Sequence, residues 1–212
     1  MKLKKPEIII ITAVDSSYGI GYKNKLLFHS SKDMVRFKNL TYGFPVIMGK
    51  NTWDSLPKKP LDGRLNIVIT RDPILSKDFI SKKTVQDAID FIIKTTYYKK
   101  IFIIGGEKIY RDSLFLADKI EMTKSEDKYL ADRFFPTDFH AYFSIEKITT
   151  YENISFITYK KNKFSFWDFL YKLVATKKKK IDGYPAIIVP NIIGTFIHKL
   201  KKTYNIWKIN QD

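Results

Sequence analysis

Short apolar runs recur along the chain at a spacing that helices alone do not produce. Residues 8–14 and 101–104 read as buried strands, rich in β-branched side chains, and 45–48, 66–70 and 119–123 as further strands. Between them the period changes. Val85, Ala88, Ile89, Ile92 and Ile93 recur at helical spacing within residues 85–95. A helix is also predicted from Ser31 or Lys32 to about Leu40, another opening at Gly49 and running through Leu56, and another after Gly105-Gly106 to about Leu116. Residues 15–25, 57–63 and 125–132 read as loops, and 143–149 with 154–160 as a closing antiparallel pair. Strands alternating with helices predict an α/β fold. Its central sheet is mostly parallel and covered on both faces by helices, with an antiparallel strand at the C-terminal edge.

Composition narrows the setting. The 212 residues suit one domain with an extension or two small ones. There is no cysteine, which excludes disulfides and thiolate metal sites and fits a reducing, cytoplasmic location. Neither a secretory signal nor an apolar run of the roughly 18 residues needed to span a membrane is expected. The net charge of +16 favours anionic partners such as nucleotides, nucleic acid or acidic lipids.

Several residues stand where chemistry is possible. Ile104 closes a strand, and Gly105-Gly106-Glu107-Lys108-Ile109-Tyr110 follows at the entry to a helix. A glycine pair there lets a ligand approach the backbone and aims N–H groups at an anion. It is not the G-x-G-x-x-G of a Rossmann dinucleotide site. Gly49-Lys50-Asn51-Thr52 repeats the strand–glycine–helix pattern, so two helix entries could hold two ends of one phosphorylated ligand. Lys50, Arg71 and Lys108 stand just past three strand ends, where open α/β sheets bind ligands; solvated lysines are the alternative. Asp33 sits in the first turn of a helix with Phe37 on the same face. Either it looks into a pocket, or Ser30-x-x-Asp33 is a capping box and the acid satisfies backbone donors.

Taken together and in order, these segments resemble dihydrofolate reductases over about residues 7–162. The landmarks are Ile11-Thr12-Ala13-Val14, Gly19-Ile20-Gly21, Asp33 with Phe37-Lys38, and Pro45-Val46-Ile47-Met48-Gly49-Lys50-Asn51-Thr52-Trp53-Asp54-Ser55-Leu56. Leu61-Asp62-Gly63-Arg64-Leu65-Asn66, Thr70-Arg71, Ile104-Gly105-Gly106 with Tyr110, and Thr123 complete the set. The resemblance implies NADPH-dependent reduction of dihydrofolate to tetrahydrofolate, with NADPH and dihydrofolate as the partners. Asp33 is then the lone acid of the pterin pocket, Thr123 its support, and Tyr110 a neighbour of the nicotinamide. Ile11, Thr12, Ala13, Leu26, Phe28, Phe37, Lys38, Leu56, Leu61 and Ile104 fall to the substrate, and Arg64 to the α-carboxylate of its glutamyl tail. Ala13, Ile20, Gly49, Lys50, Asn51, Thr52, Thr70, Arg71, Ile104, Gly105, Gly106, Glu107, Lys108, Ile109 and Tyr110 fall to the cofactor, with Lys50 and Arg71 at its 2′-phosphate. Residues 16–28 become a mobile lid. No metal is implied.

The chain departs from that family's pattern in places. Leu26-Leu27-Phe28 replaces the usual Leu-Pro-Trp, so the indole N–H that often holds a water is missing, and His29 beside it is expected to face solvent. Lys50-Asn51 replaces a common Arg-His or Arg-Lys pair, which loosens the phosphate grip. Residues 163–212 extend past the family's usual end, with ten Lys and three Asp among apolar and aromatic runs. They read as an appended subdomain packed on the reductase or on a second copy. An anionic membrane surface or single-stranded nucleic acid are the other readings. Two rival functions are a pyrimidine reductase of riboflavin synthesis, against which Asp33, Phe37 and Arg64 argue, and a non-catalytic docking protein.

Overall fold

The strand Glu7–Val14 (β1) is apolar at almost every position, as a strand must be when helices cover both its faces. The computed structural model describes residues 5–72 and 74–162, and the expectations for 163–212 lie outside them. After β1 come Gly19–Gly21 (β2), Ser31–Thr41 (α1), Pro45–Gly49 (β3), Lys50–Ser55 (α2), Leu65–Ile69 (β4) and Ile80–Lys82 (β5). Val85–Thr95 (α3), Lys100–Gly105 (β6), Glu107–Ser113 (α4), Lys119–Ser125 (β7) and Arg133–Phe134 (β8) follow. A 3₁₀ turn at Thr137–Ala141 leads into Phe143–Thr150 (β9) and Ile154–Lys161 (β10).

The main sheet has eight strands in the order β5-β4-β3-β6-β1-β7-β10-β9. The strands from β5 to β7 run parallel, and β10 is antiparallel to both of its neighbours, β7 and β9. Period-2 alternation divides the core in two. Ile8, Ile10 and Val14 pack with Ile47, Ile67, Ile101 and Ile103 against α3 and α4. Ile9 and Ile11 pack with Val46, Met48, Val68 and Phe102 against Trp53 of α2 and Phe37 and Leu40 of α1.

This topology makes a crevice. Adjacent strands β1 and β6 feed helices on opposite faces, α1 on one and α4 on the other. That is the arrangement in which the carboxyl edge of an open sheet gapes. The β1–β6 ladder runs from Glu7↔Lys100 to Ile10↔Ile103, whereas β1 stays in register with β7 as far as Val14↔Lys124.

The predicted elements appear with small differences. The expected loop at 15–25 contains β2, which pairs antiparallel with β8. Its tip is a tight hairpin in which Tyr22 and Lys25 exchange backbone bonds of 3.0 Å while Lys23 and Asn24 adopt positive φ of 48° and 61°. β5 also lies outside the sequence expectation. α4 ends at Ser113, earlier than expected, where the Ser113 hydroxyl turns back to the Ile109 carbonyl.

Candidate active site

Two helices of this chain begin with the same sequence device and use it differently. At α3, Thr84 and Asp87 close a full capping box: Asp87 N–H donates to the Thr84 hydroxyl (3.1 Å) and Thr84 N–H to the Asp87 carboxylate (3.2 Å). At α1, Ser30 accepts from Asp33 N–H (3.3 Å), but the Asp33 carboxylate does not return the bond. It accepts instead from the Thr123 hydroxyl of β7 at 2.5 Å. The acid is thus held under the helix, facing the sheet. Burial pushes its carboxyl above its ordinary pKa, against the opposing pull of the Thr123 hydroxyl and the Arg36 guanidinium.

Arg36, one turn on, pairs with Glu121, two residues before Thr123 on the same face of β7. Thr158 of β10 donates to the same Glu121 oxygen at 2.8 Å, and the guanidinium lies 4.8 Å from the Phe156 ring centroid. Arg36 and Glu121 were not among the sequence candidates. The signal was available, because a residue three past Asp33 shares its helix face.

Beside Asp33, Ile11, Phe37, Leu56, Leu61 and Ile104 group on the α1 face of the sheet. Ala13, two past Ile11, shares that face and is half-buried. Thr12 requires a correction: alternation turns its side chain to the opposite face, where it is buried and its hydroxyl has no partner among the described residues. Thr12 can serve the slot only through its backbone.

Tyr110 spans the gap between β1 and β6. Its hydroxyl donates to the carbonyls of Ile11 (2.9 Å) and Ile104 (3.0 Å), one residue past the last ladder pair of those strands. Burial pushes its pKa up, which favours the protonated, hydrogen-bond-donating phenol. Tyr110→Phe leaves one buried and one half-buried carbonyl without the proton they share. A stability loss of about 1–3 kcal/mol is expected, to be read from urea unfolding of the two proteins.

The two glycine turns lie side by side, since Met48 of β3 is in register with Gly105 of β6. A Cβ on Gly49 would stand 3.1 Å from Ile109, and one on Gly106 would stand 3.2 Å from the Thr52 hydroxyl. Gly105 has φ of 116°, and a Cβ there would meet the Tyr110 hydroxyl at 2.9 Å. Ile109 is buried against Gly49, so its side chain belongs to this packing. Asn51 is exposed and Thr52 half-buried. Thr70 N–H bonds to the Lys82 carbonyl at 2.9 Å, with Arg71 exposed beside it. Lys50 sits on both carboxylate oxygens of Asp54 (2.5 and 2.6 Å), and Lys108 pairs with Asp112 at 2.5 Å. Such exposed i,i+4 pairs are worth a few tenths of a kcal/mol, about 0.3–0.5, and yield readily to a phosphate. Glu107 instead turns toward β8, accepting from Phe134 N–H at 3.4 Å and pairing with Arg111 at 3.6 Å.

Arg64 is presented by a built loop. Asn66, buried, donates to the carbonyls of Leu61 and Arg64 (both 3.0 Å) and accepts from Leu61 N–H (3.1 Å). Gly63 has φ of 69°, and a Cβ on it would fall 2.3 Å from the Tyr42 ring. Arg64 donates from Nε to the Thr41 hydroxyl (2.7 Å) and from Nη1 to the Asp62 carbonyl (2.8 Å). Its guanidinium lies 5.5 Å from the Phe37 ring centroid, and Nη2 has no partner among the described residues. Lys38 is exposed on the same helix.

Of the lid candidates, Ile20 packs against the core and Leu26 is 58% exposed. Phe28 stacks on Tyr129, and His29 is exposed, as expected.

An open α/β sheet with a half-buried acid in an apolar slot at a strand-edge crevice, two adjoining glycine turns and an arginine at the rim defines an enzyme that orients a flat polar ring beside a phosphorylated partner. The dihydrofolate reductase family model matches residues 7–166. A dihydrofolate reductase of Buchnera aphidicola subsp. Acyrthosiphon pisum is 39% identical over 129 residues, 61% of this chain and 78% of that protein. Its counterpart from Buchnera aphidicola subsp. Baizongia pistaciae is 34% identical over 160 residues, 72% of this chain and 95% of that one. In architecture the chain is similar to dihydrofolate reductase from Enterococcus faecalis, solved in complex with NADP(H) and RAB-propyl. The TM-score is 0.68 at 21% identity, covering 75% of this chain and 98% of that one. The chain belongs to the dihydrofolate reductase family, and its activity is the NADPH-dependent reduction of dihydrofolate to tetrahydrofolate.

Proposed function

We propose that the slot between α1 and the carboxyl edge of β1 and β6 takes the pterin ring of dihydrofolate, with Asp33 as the residue that fixes and polarises it. The observation that carries this reading is the diverted cap: Asp33 forgoes its own helix start to sit, half-enclosed, on Thr123. A carboxylate there matches the paired N–H donors of a 2-amino-pyrimidinone, its N3–H and 2-amino group. Thr123 fixes its rotamer, and Arg36, held by Glu121, keeps positive charge near it. The carbonyls of Ile11 and Ile104, braced by Tyr110, face the same crevice. Tyr110 is in this reading a positioning residue rather than a proton donor.

The glycine turns suit a phosphorylated cofactor, because Gly49, Gly105 and Gly106 leave backbone open where a Cβ would close it. NADPH, when bound, supplies the hydride that C6 of the pterin accepts. Ile104, Gly105 and Tyr110 lie where the nicotinamide must be placed, and Lys50 and Arg71 where the 2′-phosphate would be neutralised. Ile11, Ala13, Phe37, Leu56 and the lid exclude water so that the two rings meet in a dry slot. No acidic side chain besides Asp33 is assigned to the ring, so water delivers the proton to N5 while Asp33 favours the tautomer that accepts it. Arg64, with Nη2 uncommitted among the described residues, grips the α-carboxylate of the glutamyl tail, and Phe37 and Leu61 bracket the benzoyl ring. The test is isotopic. NADPH carrying deuterium at the transferred position should place that deuterium at C6 of the product, one per turnover. Product without it would refute the assignment.

Residues 1–162 form the reductase in this reading, and 163–212 are an addition to it, in a protein of the cytoplasm. The covered span supports it: 72% of this chain matches 95% of a whole relative, and Asn162 N–H closes on the Tyr142 carbonyl at 2.8 Å. No helix among the described residues is long and apolar enough to cross a membrane. A chain ending at Asn162 is expected to stay soluble and keep the specific activity of the full chain. An insoluble product would place part of the extension in the core. Self-packing, oligomerisation and binding of an anionic membrane or nucleic acid through 163–212 are separable from catalysis by the same comparison.

A further inference from the structure

We propose that Tyr129, in the loop after β7, is the positioning residue that sets the closed position of the lid, because both ends of residues 16–28 are fastened to it. The inference rests on the reading that this lid covers the pterin slot. At the lid's start, Asp15 is 1% exposed and gathers three backbone donors. Its Oδ1 accepts from Ser17 N–H (2.8 Å) and Gly19 N–H (2.7 Å), and its Oδ2 from Tyr129 N–H (3.0 Å). Ser16 N–H adds a bond to the carbonyl of Asp127, at 3.0 Å. At the lid's end, the Phe28 ring stacks on the Tyr129 ring with centroids 5.8 Å apart and planes 22° apart. The Tyr129 hydroxyl donates to the Asp127 carboxylate at 3.2 Å, which steadies the ring from its far end.

The middle of the lid is tied to the same loop by polar contacts that are exposed. Asp132 N–H reaches the Gly21 carbonyl (3.0 Å) and Lys23 N–H the Asp132 carboxylate (3.1 Å). At Phe28 the fastening is of a different kind, ring on ring, and its position carries further. Phe28 is two residues before Ser30, which caps α1, and α1 carries Asp33. Tyr129 therefore holds the lid and the entry to α1 at once, from a loop whose strand supplies Thr123. A ring clamp also suits a lid with phenylalanine at this position, since Phe28 offers a face and no donor.

The experiment uses the full chain and five proteins: wild type, Tyr129→Ala, Tyr129→Phe, Phe28→Ala, and Tyr129→Ala combined with Phe28→Ala. Single-turnover reduction of dihydrofolate is followed with NADPH and with its 4-deuterated form. Removing the ring is expected to slow hydride transfer about three- to tenfold, the scale of a lost aromatic pair, and to raise the isotope effect on kcat. Tyr129→Phe keeps the ring and loses only its exposed bond to Asp127, so it should stay much closer to wild type than Tyr129→Ala does. In the Phe28→Ala background, Tyr129→Ala should change nothing further. Amide hydrogen exchange in residues 16–28 should quicken in Tyr129→Ala and far less in Tyr129→Phe, a readout independent of turnover. An unchanged transfer rate and lid exchange in Tyr129→Ala would overturn the proposal. So would a Tyr129→Phe as slow as Tyr129→Ala, or effects of the two truncations that multiply. A wild type without turnover but with the expected exchange pattern would instead count against the slot assignment and leave the clamp standing.

Discussion

Asp33→Asn is expected to cut dihydrofolate reduction by about two to three orders of magnitude near neutral pH while leaving the fold at least as stable as wild type. The first half follows from donor and acceptor counting. An amide presents one acceptor and one donor to a ring edge that offers two donors, so one pair becomes a clash and the charge is lost. Removing one such preorganised charged contact typically costs about 10²–10³ in rate. The Asn Oδ1 can still accept from Thr123, so the helix is not released. The second half follows from linkage. Burial raises the Asp33 pKa in the folded state. Its favourable contribution is therefore complete below the unfolded pKa and is lost as pH rises through the folded value. Above that range the wild type carries a partly desolvated charge that Asn does not. The difference in thermal midpoint between variant and wild type should grow in favour of the variant from acid to neutral pH. Activity has a pH signature too. Solvent protonates N5 more readily in acid, so the deficit of the variant should shrink as pH falls. A variant less stable than wild type at neutral pH, with normal turnover, would make Asp33 a capping residue after all.

Arg64→Leu is expected to raise KM for dihydrofolate roughly ten- to a hundredfold with little change in kcat, the range expected from about 1.5–3 kcal/mol for hydrogen bonds to a charged group. The glutamyl carboxylate takes no part in hydride transfer, so its grip stabilises ground state and transition state alike. The geometry favours this reading over a purely structural one. Nε and Nη1 are committed to Thr41 and Asp62, whereas Nη2 is uncommitted among the described residues. Lys at this position keeps the charge without the fork and should fall between. A dihydropterin substrate lacking the glutamyl tail is the control, because wild type and Arg64→Leu should then be alike. A variant that lost kcat with both substrates would show that Arg64 serves chiefly to hold α1 to its loop.

The strands that were legible in the sequence are those buried on both faces. β3 and β6 are written as apolar runs, β1 and β4 as runs interrupted by Thr12 and Asn66, β7 as an alternation that buries Ile120 and Met122, and α3 as a clean amphipathic face with its own capping box. What escaped is stabilised by partners distant in sequence. β2 is three residues, two of them glycine, and exists because β8 pairs with it; β5 is three residues beside β4. Nothing local distinguishes such segments from loop.

The site shows the same division. Asp33 and Phe37 could be named from their helix position, and Thr123, Ile104 and Arg64 through the family resemblance, but the Ser30-x-x-Asp33 pattern left capping and catalysis undecided. Only the placement of Thr123 beneath α1 showed where the carboxylate goes. Thr12 was assigned with its neighbours although period-2 alternation, already used to define the strand, turns its side chain away. Arg36 and Tyr129 act through contacts to strands and loops about 85 and 100 residues distant, which no local spacing reveals.

The most direct test of the central claim is the dihydrofolate-dependent consumption of NADPH by the full-length protein, with Asp33→Asn run beside it at neutral pH. Rapid consumption by the wild type, giving tetrahydrofolate, and its near disappearance in the variant are the results this account requires. A folded wild type that binds NADPH yet leaves dihydrofolate unreduced, or a variant as fast as wild type, would contradict it.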